Sequence, residues 1–405
     1  MSDLFLTGIG DLTTNVGASI TDAIVVIDNG LIVYAGASKD APGQSGRRLM
    51  DCGGRAVIPG FVDSHTHLVF AGDRSGEFAR RLQGEAYSDI AAAGGGILAT
   101  VKATRATSED ELFDLAATRV WTMIRGGTTS LEIKSGYGLN LETELRLLRV
   151  AKRIGDELPV TVKTTFLGAH SIPPEYTNDR EDYIDLLVTE MLPAAADLAD
   201  YCDVFVEENV FSVDEARKVF AAADAHGMAA RVHAEQLSHL GGAALAAEIG
   251  AASADHLDHV TPDDAVSLTD SGVPAVLVPG AAYTLNTPQP SGRMLWDAGC
   301  TVALATDCNP GTSYLETMSL VVSLAVVQMG LTVEEALWSA TRGGAVSLGL
   351  EDRGMISPGS AADLVVIDAP TPAHIPYRPA TTLVATTIKE GVIVSGGDLN
   401  TSSHY

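Results

Sequence analysis

Residues 59–67 read Pro59-Gly60-Phe61-Val62-Asp63-Ser64-His65-Thr66-His67, an apolar run that ends in two histidines. An aromatic and a β-branched residue behind a Pro-Gly break favour a short strand. Because side chains alternate along a strand, both imidazoles project to one side. The pair alone is weak evidence for a metal site. Ten histidines in 405 residues would give such spacing by chance about 0.25 times.

Similar short runs recur downstream and alternate with alanine-rich segments of helical period. Beyond Phe61–His65, the predicted strands are Thr128–Ile133, Val160–Leu167, Asp203–Val206, Met228–His233, Ser253–His256, Pro274–Val278 and Thr301–Thr306. Helices fit between them: Glu109–Arg125 starts behind the N-cap Ser108, and Asp214–His226 starts behind Ser212. Eight strands with intervening helices predict an α/β fold, a (β/α)8 barrel of the TIM type.

Both ends of the chain are rich in β-branched residues and glycine turns. Ala23–Asp28 and Leu31–Tyr34 flank Asn29-Gly30, a strong hairpin signal. Leu383–Ile388 is followed by a turn at Glu390-Gly391 and a further apolar run. The sequence therefore predicts a small β-sandwich composed of residues 1–58 and 350–405, with the catalytic barrel at 59–349.

Composition excludes several classes of protein. There are 26 Lys+Arg against 52 Asp+Glu, a net charge of −26, which argues against nucleic acid or an anionic membrane as partner. The hydrophobic fraction of 46% argues against a disordered chain. The first residues lack the pattern of a signal peptide, so a cytoplasmic protein is expected. Four cysteines without a CxxC pair favour neither a disulfide framework nor a thiolate zinc site.

Polar residues cluster at the carboxyl ends of the predicted strands, where barrels of this type assemble their sites. His65, His67, His233 and Asp307 are assigned as ligands of one divalent metal, because three imidazoles and a carboxylate suit zinc or ferrous iron. His256 is either a further ligand or a hydrogen-bond donor to an oxyanion, and the second role is preferred. Glu235, two residues past His233, is a candidate proton-handling group, with a solvated loop glutamate as the competing interpretation.

The segment 59–67, together with Gly359–Ile367 as a returning strand, resembles the metal-dependent amidohydrolase superfamily. Longer segments narrow the resemblance to its imidazolonepropionase family. These segments are Ala91-Ala92-Ala93-Gly94-Gly95-Gly96-Ile97, Glu132-Ile133-Lys134-Ser135-Gly136-Tyr137-Gly138-Leu139, Thr165-Phe166-Leu167-Gly168-Ala169-His170, His233-Ala234-Glu235-Gln236-Leu237 and Ala305-Thr306-Asp307-Cys308-Asn309-Pro310-Gly311-Thr312.

The resemblance implies a set of site residues and a reaction. It implies a single zinc or iron ion on the four ligands above, a homodimer, and no metal on Glu207. The implied reaction is opening of 4-imidazolone-5-propanoate to N-formimidoyl-L-glutamate in histidine degradation. The implied substrate contacts are Arg74, Tyr137, His170, Glu235, Asn309, Gly311 and Thr312.

Arg74 suits the propionate carboxylate, because a guanidinium can bind a carboxylate with two parallel hydrogen bonds. The competing interpretation is a surface ion pair with Asp73 or Glu77. The preceding residues, Phe70-Ala71-Gly72-Asp73, depart from the family's usual Tyr-Gly-Gly-Ser, which makes the loop geometry around Arg74 an open question.

The expected mechanism is hydrolysis by a water whose pKa the metal lowers. Asp307 takes the proton of that water, His256 stabilises the oxyanion, and Glu235 helps to protonate the leaving ring nitrogen. Two alternatives stay open from the sequence. One is a deaminase or another cyclic amide hydrolase on the same site, and the other is a non-catalytic binding protein on this scaffold.

Overall fold

The computed structural model describes residues 3–44, 46–85, 94–379 and 381–397. Ala91–Ala93 of the family-like segment and the last residues of the predicted sandwich lie outside them. In chain order the strands are β1 Leu4–Leu12, β2 Ile20–Asp28, β3 Leu31–Ala37, β4 Arg48–Asp51, β5 Ala56–Pro59, β6 Phe61–Asp63, β7 Thr128–Lys134, β8 Thr161–Ala169, β9 Tyr201–Phe205, β10 Ala229–Ala234, β11 Ser253–His256, β12 Ala275–Leu277, β13 Val302–Leu304, β14 Leu364–Ile367, β15 Val384–Lys389 and β16 Val392–Gly396.

The α-helices of the described residues are α1 Ser75–Leu82, α2 Ile97–Ala106, α3 Glu109–Arg125, α4 Leu141–Glu157, α5 Arg180–Leu186, α6 Leu192–Ala195, α7 Val213–Ala225, α8 Gly242–Ile249, α9 Pro262–Ser271, α10 Pro279–Leu285, α11 Gly292–Asp297, α12 Met318–Gln328, α13 Val333–Trp338, α14 Gly344–Ser347 and α15 His374–Tyr377. None of them is long and apolar enough to cross a membrane.

The predicted barrel is confirmed. Strands β6 to β13 pair in chain order, each parallel to the next, and an isolated bridge between Thr66 and Cys308 joins the first strand's end to the last. Regular pairing is shorter than predicted at both of these strands: β6 stops at Asp63 and β13 at Leu304. The residues beyond those points, including the histidine pair and Asp307, lie on irregular backbone at the barrel rim.

The β-unit built from both chain termini is also confirmed. Strands run in the order β16-β15-β14-β5-β1-β2-β3, with β4 beside β1. The predicted hairpin is present as antiparallel β2 and β3, and Asn29 and Gly30 at its turn have φ of 52° and 81°. Inward side chains from the two chain ends form one apolar core, which includes Leu4, Val25 and Leu364.

The chain passes from this sheet to the barrel at Gly60, between β5 and β6. A Cβ at this position would overlap the side chain of Thr129 on the neighbouring barrel strand, so the crossing needs glycine. The predicted limits at residues 58 and 59 lie beside this junction, and the domain limits remain a proposal.

Helix starts follow the predicted caps. Helix α3 spans Glu109–Arg125 as predicted, and Ser108 and Glu111 form a reciprocal capping box. Helix α7 is displaced by one residue from the prediction, starting behind Ser212 with Glu215 as its box partner. These helices cover the outside of the barrel and pack apolar faces against its strands.

Candidate metal centre and active site

The barrel rim holds the ends of β6 and β13 together by backbone contacts. The N–H of His67 donates to the carbonyl of Cys308 at 3.0 Å, and the N–H of Asp307 donates to the carbonyl of His65 at 3.0 Å. This interlock places Asp307 beside the histidine pair although some 240 residues separate them in sequence.

The Nε2 atoms of three imidazoles lie close together at this rim. Nε2 of His67 lies 3.2 Å from Nε2 of His65 and 3.3 Å from Nε2 of His233. Oδ1 of Asp307 lies 3.6 Å from Nε2 of both His65 and His67. All four side chains are buried. The structure thus brings together the four residues that the sequence predicts as metal ligands.

Two aspartates behind the cluster orient the rings. Oδ2 of Asp255 lies 2.6 Å from Nδ1 of His65, and Oδ2 of Asp203 lies 2.8 Å from Nδ1 of His233. A carboxylate at Nδ1 favours the tautomer with its proton on that nitrogen, which leaves Nε2 with a lone pair. The rings therefore aim unprotonated nitrogens at one point.

This donor set fits a divalent cation. Lone pairs of neutral imidazoles held about 3 Å apart repel one another unless a proton or a cation lies between them. Burial lowers the pKa of His65, His67 and His233 well below the ordinary range, with further lowering from Lys134, so a bridging proton is disfavoured. Nitrogen and carboxylate ligands of this kind suit zinc or iron.

His256 lies at the edge of the cluster and forms, with His65 and Asp307, a second group of side chains whose donor atoms lie close enough to hold a metal ion. Its ring centroid lies 5.2 Å from that of His65 and 5.1 Å from that of His233. Neither of its ring nitrogens has a hydrogen-bond partner among the described residues. Burial lowers its pKa to about 4, so the neutral ring offers one N–H donor at neutral pH.

A pocket of about 620 Å³ opens over the cluster and holds most of the predicted site residues. From the predicted set, it is lined by His67, Arg74, Tyr137, His170, His233, His256, Asp307, Asn309, Gly311 and Thr312. Its volume suits a small ligand. The structure thus places three of the four predicted ligands and six of the seven predicted substrate contacts in one cavity, while His65 and Glu235 do not line it.

Arg74 makes the expected ion pair with Glu77 and also lines the pocket. Its Nε donates to Oε2 of Glu77 at 3.0 Å, which is the expected ion pair, yet its side chain lines the pocket. Nη1 lies against Gly311 so closely that a Cβ there would be 2.5 Å away. Glu77 therefore holds the guanidinium by one edge and presents the other edge towards the pocket.

Tyr137 and His170 form an aromatic wall beside the cluster. The ring of His170 stacks on His67 with centroids 5.0 Å apart, and its Nδ1 lies 3.0 Å from the carbonyl oxygen of Gly136. Burial lowers the pKa of His170 to about 4 and raises that of the Tyr137 hydroxyl. Both groups are neutral at pH 7, and they add polar atoms to the pocket without adding charge.

Glu235 and Asn309 are engaged in shaping the loops on which they lie. Oε2 of Glu235 accepts from the N–H of Leu240 at 2.8 Å, and Oε1 accepts from Gly241 and Ala243 at 3.0 Å each. Glu235 is buried, not a solvated loop residue. The amide oxygen of Asn309 accepts from the N–H groups of Gly311 and Thr312, which closes a tight turn beside Arg74.

Glu207 also shapes a loop at the pocket edge. Its Oε2 accepts from the N–H of Leu237 at 2.8 Å, and its Oε1 accepts from the N–H of Glu208 at 2.8 Å. It belongs to neither group of potential metal-binding side chains found among the described residues.

Charged residues that the sequence patterns did not predict lie beneath the candidate metal centre. Asp203 and Asp255 contact the ligand rings, and Lys134 lies between them. Burial alone would lower the pKa of Lys134, but Asp203, Glu132 and Asp255 outweigh that effect and hold it above its usual value. Charged residues inside otherwise apolar strand patterns were the available signal.

The comparisons with known proteins agree with this geometry. Residues 56–396 match the family model described as the amidohydrolase family. An imidazolonepropionase of Myxococcus xanthus is 47% identical over 92% of this chain and 90% of its own length. One from Symbiobacterium thermophilum is 45% identical over 97% of both chains. This chain belongs to the imidazolonepropionase family of the amidohydrolases.

Solved structures of other enzymes have the same fold as this chain. N-isopropylammelide isopropylaminohydrolase from Burkholderia multivorans is 21% identical and covers 97% of this chain and 98% of its own, with a TM-score of 0.71. The 5-methylcytosine deaminase from Klebsiella pneumoniae is 16% identical, covers 98% and 99%, and has a TM-score of 0.73. At these identities the likeness concerns the fold alone.

Proposed function

We propose that this protein hydrolyses 4-imidazolone-5-propanoate to N-formimidoyl-L-glutamate, with one divalent metal ion, as a step of histidine degradation. The observation that carries the proposal is that Arg74 and the histidine cluster line the same pocket. The guanidinium of Arg74 at one side of the pocket suits the propionate carboxylate, and a metal ion on the histidine cluster at the other side suits the ring carbonyl. Relatives that are 44–47% identical carry the name imidazolonepropionase, which supports this assignment.

His65, His67, His233 and Asp307 would hold the metal, since the donor atoms of the three histidines converge and Oδ1 of Asp307 lies 3.6 Å from Nε2 of both His65 and His67. A divalent ion there would polarise the ring carbonyl and lower the pKa of the attacking water. Zinc or iron is proposed on the donor set, and the choice between them awaits metal analysis.

The chain's own residues then handle binding and protons. The guanidinium of Arg74 binds the propionate, and Tyr137, His170 and the turn at 309–312 bound the ring. Asp307 accepts the proton of the water that adds to the carbonyl carbon. The neutral ring of His256 donates its N–H to the oxygen that becomes negatively charged.

The step ends when the bond between the carbonyl carbon and the ring nitrogen breaks and that nitrogen takes the proton that Asp307 accepted from the water. We assign its delivery to Glu235. Three backbone N–H groups occupy this carboxylate, and only one of them binds Oε2, so Oε2 keeps a lone pair. Glu235 would thus hold its loop and handle a proton with one carboxylate.

The direct test is a substrate panel with the purified metal-loaded protein. Loss of ring absorbance is followed beside an enzyme-free blank, because the imidazolone also decays spontaneously. We expect rapid opening of the propionate substrate and poor action on cytosine, guanine and unsubstituted hydantoin. A lost charged contact costs about 1.5–3 kcal/mol, or roughly ten- to hundredfold in kcat/KM. Equal kcat/KM on a neutral ring would contradict the assignment and favour a deaminase or another cyclic amide hydrolase.

A second experiment tests the metal centre itself. His65→Ala and Asp307→Asn should each lower activity by orders of magnitude while the barrel stays folded, because neither removes a large apolar group. Metal content is measured on the same samples. Near-normal rates for Asp307→Asn at full metal content would contradict both roles given to Asp307.

We further propose a homodimer that works in the cytoplasm. The dimer rests on the family resemblance. The cytoplasm fits the four cysteines, all of which are buried free thiols, as is usual in reducing compartments. The small anionic substrate is the proposed partner, and the net charge of −26 argues against nucleic acid and anionic membranes.

A further inference from the structure

Five charged side chains fill the barrel interior beneath the metal centre, and we call them the charged plug. They come from four of the barrel strands, β7, β9, β10 and β11. All five are fully or almost fully buried: Glu132, Lys134, Asp203, Arg231 and Asp255. Two cations, Lys134 and Arg231, face three carboxylates.

Lys134 is the only residue of the plug that contacts both aspartates behind the metal ligands through a single atom. Its Nζ lies 2.7 Å from Oδ2 of Asp203 and 3.5 Å from Oδ2 of Asp255. It also donates to Oε1 of Glu132 at 2.7 Å. One ammonium therefore sets the positions of two carboxylates on different strands.

Those carboxylate oxygens are the same atoms that approach the ligand rings. Oδ2 of Asp255 lies 2.6 Å from Nδ1 of His65, and Oδ2 of Asp203 lies 2.8 Å from Nδ1 of His233. Movement of either oxygen changes the partner of a ring nitrogen and with it the ring's angle and tautomer. Two of the three converging Nε2 atoms thus depend on one lysine.

Arg231 does not duplicate this link. Its Nη2 donates to the carbonyl of Ser64 at 2.9 Å and its Nη1 to the carbonyl of Ser347 at 2.9 Å, so it is anchored mainly to backbone. It shares the contact with Asp255, since its Nη2 lies 3.5 Å from the same Oδ2, as Nζ of Lys134 does, while its guanidinium joins Ser64, just past β6, to α14.

We propose that Lys134 is a positioning residue of the metal centre, which holds Asp203 and Asp255 so that His65 and His233 present unprotonated Nε2 atoms to one cation. The inference rests on the proposed metal site and not on the substrate assignment.

The test is the metal affinity of full-length protein, measured by competition with a chelator after removal of metal. Lys134→Met keeps the length of the side chain and removes its charge. Zn²⁺ affinity should fall about tenfold or more, in the range seen for residues that orient metal ligands. The metal-free variant should also show a second tautomer in the imidazole ¹⁵N shifts of His65 and His233. Neither readout uses the substrate, so failure of the substrate assignment would leave this test intact.

Lys389→Met is the matched control. Lys389 is a second buried lysine, bonded to Oδ2 of Asp363 at 2.8 Å and to Thr161 at 2.7 Å, remote from the ligand rings. Its loss should lower stability and leave Zn²⁺ affinity unchanged. Wild-type affinity in folded Lys134→Met would overturn the proposal, and so would an equal fall in the control.

If Lys134→Met does not fold, Asp203→Asn provides the test instead, because it leaves two cations and two carboxylates in the plug. Oδ1 of Asp203 accepts from the backbone N–H of His233 at 3.1 Å, and Oδ2 faces the ring. An amide keeps one oxygen, so one of these contacts is lost. Zn²⁺ affinity should again fall about tenfold, and an unchanged value would overturn the proposal.

Discussion

At the scale of single residues, Arg74 shows how a side chain is fixed and still available to a ligand. Its ion pair with Glu77 uses Nε, while Nη1 faces Gly311 in the pocket. We predict that Arg74→Met raises KM for the propionate substrate ten- to hundredfold, the equivalent of about 1.5–3 kcal/mol for one charged contact. Steady-state kinetics at a verified metal content measure this.

Arg80→Met is the control for Arg74. Arg80 lies on helix α1, which begins directly after Arg74; it pairs with Glu85 and does not line the pocket. Its replacement removes a comparable ion pair and should leave KM unchanged. If both variants raised KM equally, the effect would belong to helix α1 as a whole and not to binding by Arg74.

Gly311 packs against the guanidinium of Arg74 and allows a second test of its role. In Gly311→Ala the new Cβ would lie 2.5 Å from Nη1 of Arg74, so the flexible guanidinium must move away. We expect KM to rise about tenfold, roughly one charged hydrogen bond, with little change in unfolding free energy. Gly76→Ala, where no atom lies within 4 Å of the added Cβ, is the matched control. An unchanged KM in Gly311→Ala would argue against binding by this edge of Arg74.

At the scale of secondary-structure elements, helix α7 depends on one glutamate in two ways. Glu215 closes the capping box with Ser212 and pairs with Arg180 at 2.5 Å. The hydrogen bond from Arg180 lowers the pKa of Glu215 to about 2. Because this folded-state pKa lies below the unfolded value of about 4.3, the stabilisation is present above pH 4.3 and is lost as the pH falls towards 2.

We therefore predict that Glu215→Gln lowers the unfolding free energy by about 1–2 kcal/mol at pH 7, after allowance for solvent screening. The difference in unfolding free energy between wild type and variant should stay constant from about pH 5 to 8 and shrink below about pH 4. Urea denaturation at several pH values measures it.

Glu111→Gln provides the comparison for Glu215→Gln. Glu111 closes the same kind of box with Ser108 on helix α3. Its side-chain contacts are with Ser108 and not with an arginine, so its loss should cost less. A gap for Glu215→Gln that did not change with pH would mean that its charge contributes nothing to stability.

At the scale of the whole molecule, Asp363 joins the terminal sheet to the barrel. Its Oδ2 accepts from Lys389 at 2.8 Å and from Arg353 at 2.7 Å, and Lys389 also bonds Thr161 on barrel strand β8. The carbonyl of Asp363 accepts from the N–H of Gly60 at the junction between sheet and barrel.

We predict that Asp363→Ala lowers the unfolding free energy by about 3–5 kcal/mol, because it leaves a buried ammonium without its carboxylate. Urea unfolding followed by circular dichroism measures this. Asp368→Ala removes a half-exposed carboxylate from its pair with Arg55 in the same sheet and should cost about 1 kcal/mol or less. Equal losses in the two variants would argue against a special role for the buried pair.

The sequence by itself determined the eight-strand barrel, the contribution of both termini to one sheet, and the clustering of the histidines proposed as metal ligands at the ends of the strands. These features follow from local rules: alternation along strands, Asn-Gly turns and serine caps act within a few residues. The predicted caps of α3 and α7 show this, since both helices begin directly behind the predicted serines, Ser108 and Ser212.

Only the tertiary structure decided what each site residue contacts. The sequence-based prediction assumes that side chains keep alternating up to and past the strand ends. The backbone instead turns there, because Glu235, His256 and Asp307 have φ of 54°, 79° and 53°. Their side-chain directions therefore no longer follow the strand. Glu235 consequently meets the backbone of its own loop. Asp255 reaches His65, and Lys134 reaches Asp203, across many residues of chain, because closing the barrel brings distant strands side by side. Such partners depend on barrel closure, a property that no local stretch of sequence contains.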